Sequence, residues 1–179
     1  MTRHGAGPVL ALLAIALLAA CGADAEPAEP ADLAIVGARL IDGTGGDPVA
    51  DSIILIDDGR VRAAGPSDAV EVPEDTEVVD AAGKTVVPGL VDLHAHYGGP
   101  LEATEQALRS QLYYGVTTTR SVGADDPDKV GLMLEANAGR PDLPRAFTAG
   151  LGFSYPGGFN SGFTNTPTTE EEARAMVRE

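Results

Sequence analysis

The chain has 179 residues, 44% hydrophobic and 22% charged, with 22 Gly, 13 Pro, one Cys and no Trp. Lys and Arg total 12 against 27 Asp and Glu, a formal charge of -15 spread along the sequence rather than gathered in a tail. The apolar fraction excludes a wholly disordered chain. The acidity speaks against nucleic acid or anionic lipid as an electrostatic partner, and one cysteine excludes an internal disulfide framework or a Cys-based zinc site.

In chain order, Arg3 precedes an uninterrupted apolar run, Val9–Ala20. A helix needs about 20 residues to cross a bilayer, so this shorter run reads as the core of a signal peptide. It ends in Leu18-Ala19-Ala20-Cys21, which resembles the lipobox of bacterial lipoproteins. The resemblance implies cleavage before Cys21, lipidation of its thiol and anchoring to a membrane of the cell envelope; several acyl chains anchor stably where one does not. The plainer alternative is an exported protein with a cysteine at its cleavage site. Residues 1–20 are expected to be the signal peptide, and residues 21–32, rich in Ala, Pro, Glu and Asp, a flexible tether.

From Leu33 the texture becomes short β-type runs bounded by Gly, Asp or Pro: LAIVGARLID, SIILID, RVRAAG, TEVVD and KTVV. Asp58-Gly59 is a two-residue hairpin signal. Residues 33–88 are therefore expected to form a small antiparallel β-subdomain. From Gly89 strands alternate with helices. LVDLHAH, GVTTTRSV and RAFTAG read as strands, and LEATEQALRSQLYY as a helix with Leu101, Leu108 and Leu112 near one face and Gly115 past its end. Asp126 with Pro127 opens a second helix, and Thr168 with Glu171 or Thr169 with Glu172 offers a capping box for a third. Between the last strand and that helix lies a Gly, Pro and Phe loop, GLGFSYPGGFNSGFTNTP. The order βαβαβα is the grammar of a parallel sheet. A complete (β/α)8 barrel takes about 250 residues, so residues 89–179 read as its first three units, truncated.

The informative segment is Val86-Val87-Pro88-Gly89-Leu90-Val91-Asp92-Leu93-His94-Ala95-His96. Residues two apart on a strand share a face, so Asp92, His94 and His96 are expected to point inward together. Two imidazoles about 7 Å apart along a strand can converge on one ion, and histidine suits zinc and other borderline divalent metals. Asp92, one layer deeper, is placed to hold an imidazole N–H. With His4 in the leader, His94 and His96 are the two histidines left. Ordinary hydrogen-bonded strand histidines are the competing reading, but unpaired buried polar groups cost kilocalories, and three on one strand face call for a compensating ion or network.

VVPGLVDLHAH resembles the first barrel strand of the amidohydrolase superfamily of metal-dependent hydrolases. Residues 34–65 are similar to the β-subdomain that precedes it, and GVTTTRSVG to the second strand of the imidazolonepropionase-like and Xaa-Pro dipeptidase-like branch. The resemblance implies a distorted (β/α)8 barrel with one or two divalent ions, zinc foremost, at its mouth, and a small-molecule amide, lactam or dipeptide as substrate. It implies His94 and His96 as the first two metal ligands. The remaining groups, a bridging lysine, two more histidines and an aspartate, have no counterpart here, since Lys84 and Lys129 fall at other positions. Arg120 matches an arginine at the end of strand two, where Ser121 replaces a neighbouring aspartate. Phe159 stands where relatives carry histidine. Tyr97 and Arg120 are candidates for the substrate pocket. The reading is thus the front portion of an exported, lipid-anchored hydrolase of C–N bonds, inactive by itself; the alternative is a surface lipoprotein that binds a metal or ligand without turnover.

Overall fold

The structure, a computed structural model, describes residues 29–178. The expected signal peptide, the lipidation site Cys21 and most of the tether lie outside those residues. Contacts divide the chain into two compact units at Val86 and Val87. Among the described residues no helix is long and apolar enough to cross a membrane.

The first unit is one sheet of five strands: β1 (Leu33–Leu40), β2 (Val49–Asp57), β3 (Arg60–Pro66), β4 (Glu77–Asp80) and β5 (Thr85–Val86). β2 pairs antiparallel with β1 and with β3. Asp58 and Gly59 join β2 to β3 with φ of 47° and 68°, the positive values a type I′ turn requires. The expectation of a purely antiparallel unit is corrected at the other edge. There β4 and β5 both run parallel to β1, with Leu33 opposite Glu77 and Arg39 opposite Thr85. Residues 67–76 carry the chain across the sheet, and such a crossing delivers β4 parallel to β1. β5 then continues along β1 in the same direction after the turn closed by the Lys84 N–H on the Ala81 carbonyl. The core is Ala31, Ala34, Ile53 and Leu55, flanked by Val36, Ala63, Val70 and Val72. Packing starts before Leu33: Ala31 is buried and donates its N–H to Thr76 Oγ1, and Asp32 accepts the N–H of Asp58.

The second unit runs β6 (Leu90–Ala95), α1 (Leu101–Tyr113), β7 (Val116–Ser121), α2 (Pro127–Asn137), β8 (Arg145–Thr148) and α3 (Glu170–Met176). β6, β7 and β8 form a parallel sheet in that order. The fold is α/β, and among the described residues the sheet is open, not a closed barrel. Local chemistry sets the helix ends. Asp126 Oδ1 accepts the Lys129 N–H ahead of Pro127 at the first helical position. At α3 the capping box is the Thr169–Glu172 pair rather than Thr168–Glu171; Glu172 also takes the hydroxyl and N–H of Thr168, which hold its carboxyl below the usual range. The core joins Ala95, Tyr97, Leu108, Leu132, Met133, Ala136, Leu143 and Ala146. Leu108 is fully buried, worth about 1.5–3 kcal/mol. Of the leucines expected on the buried face, Leu101 is exposed, and Thr104 is buried one turn before Leu108 instead.

Candidate metal centre

Ligand sites of parallel sheets form at the carboxyl ends of strands, and His94 and His96 straddle the end of β6. Register with β7 shows how they are aimed. Asp92 lies opposite Thr119, but Ala95 lies opposite Ser121, so β6 carries one extra residue in between. Such a bulge interrupts the alternation of side chains. The N–H of His94, inside the bulge, donates to Asp92 Oδ1 at 3.1 Å.

The bulge corrects the placement of Asp92. Its carboxylate turns toward α1, where Gln111 Nε2 donates to Oδ2 at 3.2 Å. Gln111 Oε1 in turn accepts the Tyr97 hydroxyl at 2.7 Å, and that hydroxyl also bonds Thr119 Oγ1 at 2.7 Å. Asp92, Ala95 and Tyr97 therefore share the helix side, while His94 and His96 face the other way. Asp92 supports the pair through the His94 backbone, not through an imidazole N–H.

The two imidazoles meet edge to face with ring centroids 5.2 Å apart. With metal–nitrogen bonds of about 2.0–2.1 Å and tetrahedral angles, two rings on one ion come to about that separation. His96 Nδ1 lies 3.4 Å from the Gly123 carbonyl oxygen. A proton on Nδ1 directed there leaves the Nε2 lone pair for a metal, the usual device by which an outer group sets the tautomer. The pair fits two positions of a metal site. Among the described residues no group of three or more His, Cys, Asp or Glu gathers to complete one.

Tyr97 is held at both ends. Lys129 Nζ donates to its carbonyl at 3.0 Å, with Asp126 Oδ2 3.9 Å from the same ammonium. Burial pushes the Tyr97 phenol above its ordinary value, against the pull of the Thr119 and Gln111 hydrogen bonds. Tyr97 borders the pocket beside His96, but its hydroxyl is committed to the helix side. Arg120 is exposed on β7; it alternates with Thr119 and Ser121, both buried, and does not line that pocket.

Gln111 and Lys129 carry structural weight that sequence reasoning missed. For Gln111 a signal existed: it lies three residues after Leu108 on the buried stripe of α1, where a polar side chain needs a partner. Lys129 stands on a helix opened by acidic residues, and nothing in its neighbours marks it as buried.

No family model matches the chain. It is 37% identical over 92 residues to the enamidase of Eubacterium barkeri, covering 48% of this chain and 24% of that enzyme. It is 36% identical over 90 residues to adenine deaminase 3 of Rhizobium meliloti (strain 1021), covering 50% and 15%. The structure matches that of a putative prolidase from Bifidobacterium longum with a TM-score of 0.68 and 29% identity, over 82% of this chain and 37% of that one. These relatives and neighbours are amidohydrolase-family hydrolases, and the chain spans a quarter or less of the curated ones.

Proposed function

We propose that the chain is the metal-binding front portion of an amidohydrolase-type enzyme that hydrolyses C–N bonds of small amides, cyclic amides or dipeptides. The observation that carries this reading is the His94–His96 pair, brought together at the carboxyl end of the first parallel strand. His94 and His96 would hold a divalent ion, zinc by the chemistry of an imidazole set. When bound, such an ion supplies a Lewis acid that acidifies water and polarises a carbonyl. The chain's own residues orient the pair: Asp92 fixes the His94 backbone, and the Gly123 carbonyl holds Nδ1 of His96 so that Nε2 is free. Tyr97, tied to Gln111, Thr119 and Lys129, braces the strand end against α1 and α2. The leader and Cys21 support export and lipid anchoring, which belong to the same proposal.

The test is metal content and turnover of the full-length protein. Wild type is expected to bind zinc and to hydrolyse an Xaa-Pro dipeptide or N-acyl amide in a chelator-sensitive manner. His94→Ala with His96→Ala should abolish both, and Asp92→Ala should cost about 10–100-fold in metal affinity. Full metal content in the double variant would refute the ligand assignment. Metal binding without hydrolysis of any of these substrates would favour a non-catalytic binding protein.

A further inference from the structure

The loop between β8 and α3 contributes nothing to the hydrophobic core, yet it is held in one shape. Phe153 and Asn165 bridge its two ends, with the Ser154 N–H donating to the Asn165 carbonyl and the Asn165 N–H to the Gly152 carbonyl, both at 2.8 Å. Residues 152–165 thus close on themselves as an Ω-loop, a form frequently tied to function. Inside it, Ser154 Oγ donates to the Phe159 carbonyl at 2.8 Å and Thr164 Oγ1 to the Asn160 carbonyl at 2.9 Å. Gly158 lies so close to Tyr155 that a Cβ there would meet its ring at 2.8 Å.

These bonds order the backbone that carries Phe159, which is 88% exposed, with Phe163 and Phe153 more than half or half exposed in the same loop. Phenyl rings carried by a pre-ordered loop gain free energy from whatever covers them. Their position says what that is. The three rings line a pocket of about 500 Å³ that reaches His96, a volume suited to a small molecule. Few side chains there offer polar contacts, chiefly Asn160 and Thr164.

We propose that this loop is a recognition wall for an apolar substituent, aryl or branched alkyl, carried by the substrate beside the bond that is cleaved. The assignment rests on the reading of His94 and His96 as the metal-binding end of the same pocket.

Two measurements on the full-length protein keep the loop and the hydrolase reading apart. The first compares hydrolysis of N-acetylglycine and N-phenylacetylglycine by the zinc-loaded protein. The phenylacetyl compound should be favoured in kcat/KM by about tenfold or more. Phe159→Ser with Phe163→Ser should collapse that ratio through KM, and Phe159→Leu, still apolar, should retain most of it. The second measurement uses no turnover: saturation-transfer NMR with 3-phenylpropanol on the metal-free protein should show contact with the ring protons, lost in the double variant. Probe binding that is lost in the double variant, without hydrolysis of either amide, would overturn the hydrolase reading and the placement of the wall beside a cleaved bond, and keep the loop only as an apolar binding surface. Hydrolysis with equal kcat/KM and no probe contact would overturn the loop assignment and keep the hydrolase reading. Absence of both would overturn both.

Discussion

Tyr97 directly follows the candidate ligand His96, is 5% exposed, and shares its hydroxyl between Gln111 and Thr119. Replacing it by Phe leaves Gln111 Oε1 and Thr119 Oγ1 short of a partner in a buried place, a change that costs about 1–3 kcal/mol. The consequence for pH has a definite sign. Burial raises the folded-state value of the phenol, so the stability it contributes is complete below the unfolded value of about 10. That stability is lost as pH rises from there through the raised folded value. Tyr97→Phe should therefore melt lower than wild type at neutral pH, and the gap should narrow above about pH 10. Thermal melts of both proteins from neutral to alkaline pH check this; a gap that stays constant would mean the phenol is not buried.

At the scale of elements, α1 is fastened to the segment after α2 by four charges. Arg140 reaches Glu105 at 2.6 Å and Asp142 at 3.0 Å, and Arg109 reaches the same two carboxylates at 2.9 and 2.7 Å. The Arg140 guanidinium holds both carboxyls below their usual range. Groups lowered in this way contribute stability that is present above their unfolded values, about 4, and lost as pH falls through the folded ones. Arg140→Met should be less stable than wild type near neutrality and equal to it in strong acid, with added salt shrinking the neutral-pH difference. Melting temperatures against pH at low and high salt measure it. How legible such elements were in the sequence depends on the range of the cause. The caps at Asp126 and Thr169 and the Asp58-Gly59 turn follow from neighbours in the chain, and so could be read. Strand β6 itself was legible from its apolar alternation and from Pro88-Gly89. A Cβ at Gly89 would come within 2.8 Å of every side-chain atom of Thr117, so glycine is what lets the strand start flush on β7. The bulge at Leu93–His94 was not legible, because it arises from register against β7, and it moved Asp92 to the opposite face. The parallel pairing of β4 and β5 was hidden for the same reason, since a ten-residue connection does not announce which edge it seeks.

At the scale of the whole molecule, the described residues form two hydrophobic clusters with no residue in common, one built around Ile53 and Leu55 and the other around Leu108 and Met133. Each is bounded by its own sheet, and the division at Val86 and Val87 falls between them. Cooperative units tend to coincide with such self-contained cores, so a cavity in one should be felt mainly by that one. Leu55→Ala and Leu108→Ala each remove a buried side chain, a change that costs about 2–5 kcal/mol. Hydrogen exchange read by mass spectrometry should then show lost protection over residues 29–86 in the first variant, with residues 87–178 near wild type. The second variant should show the converse. Equal loss of protection across both spans in either variant would show that the two sheets unfold as one cooperative unit.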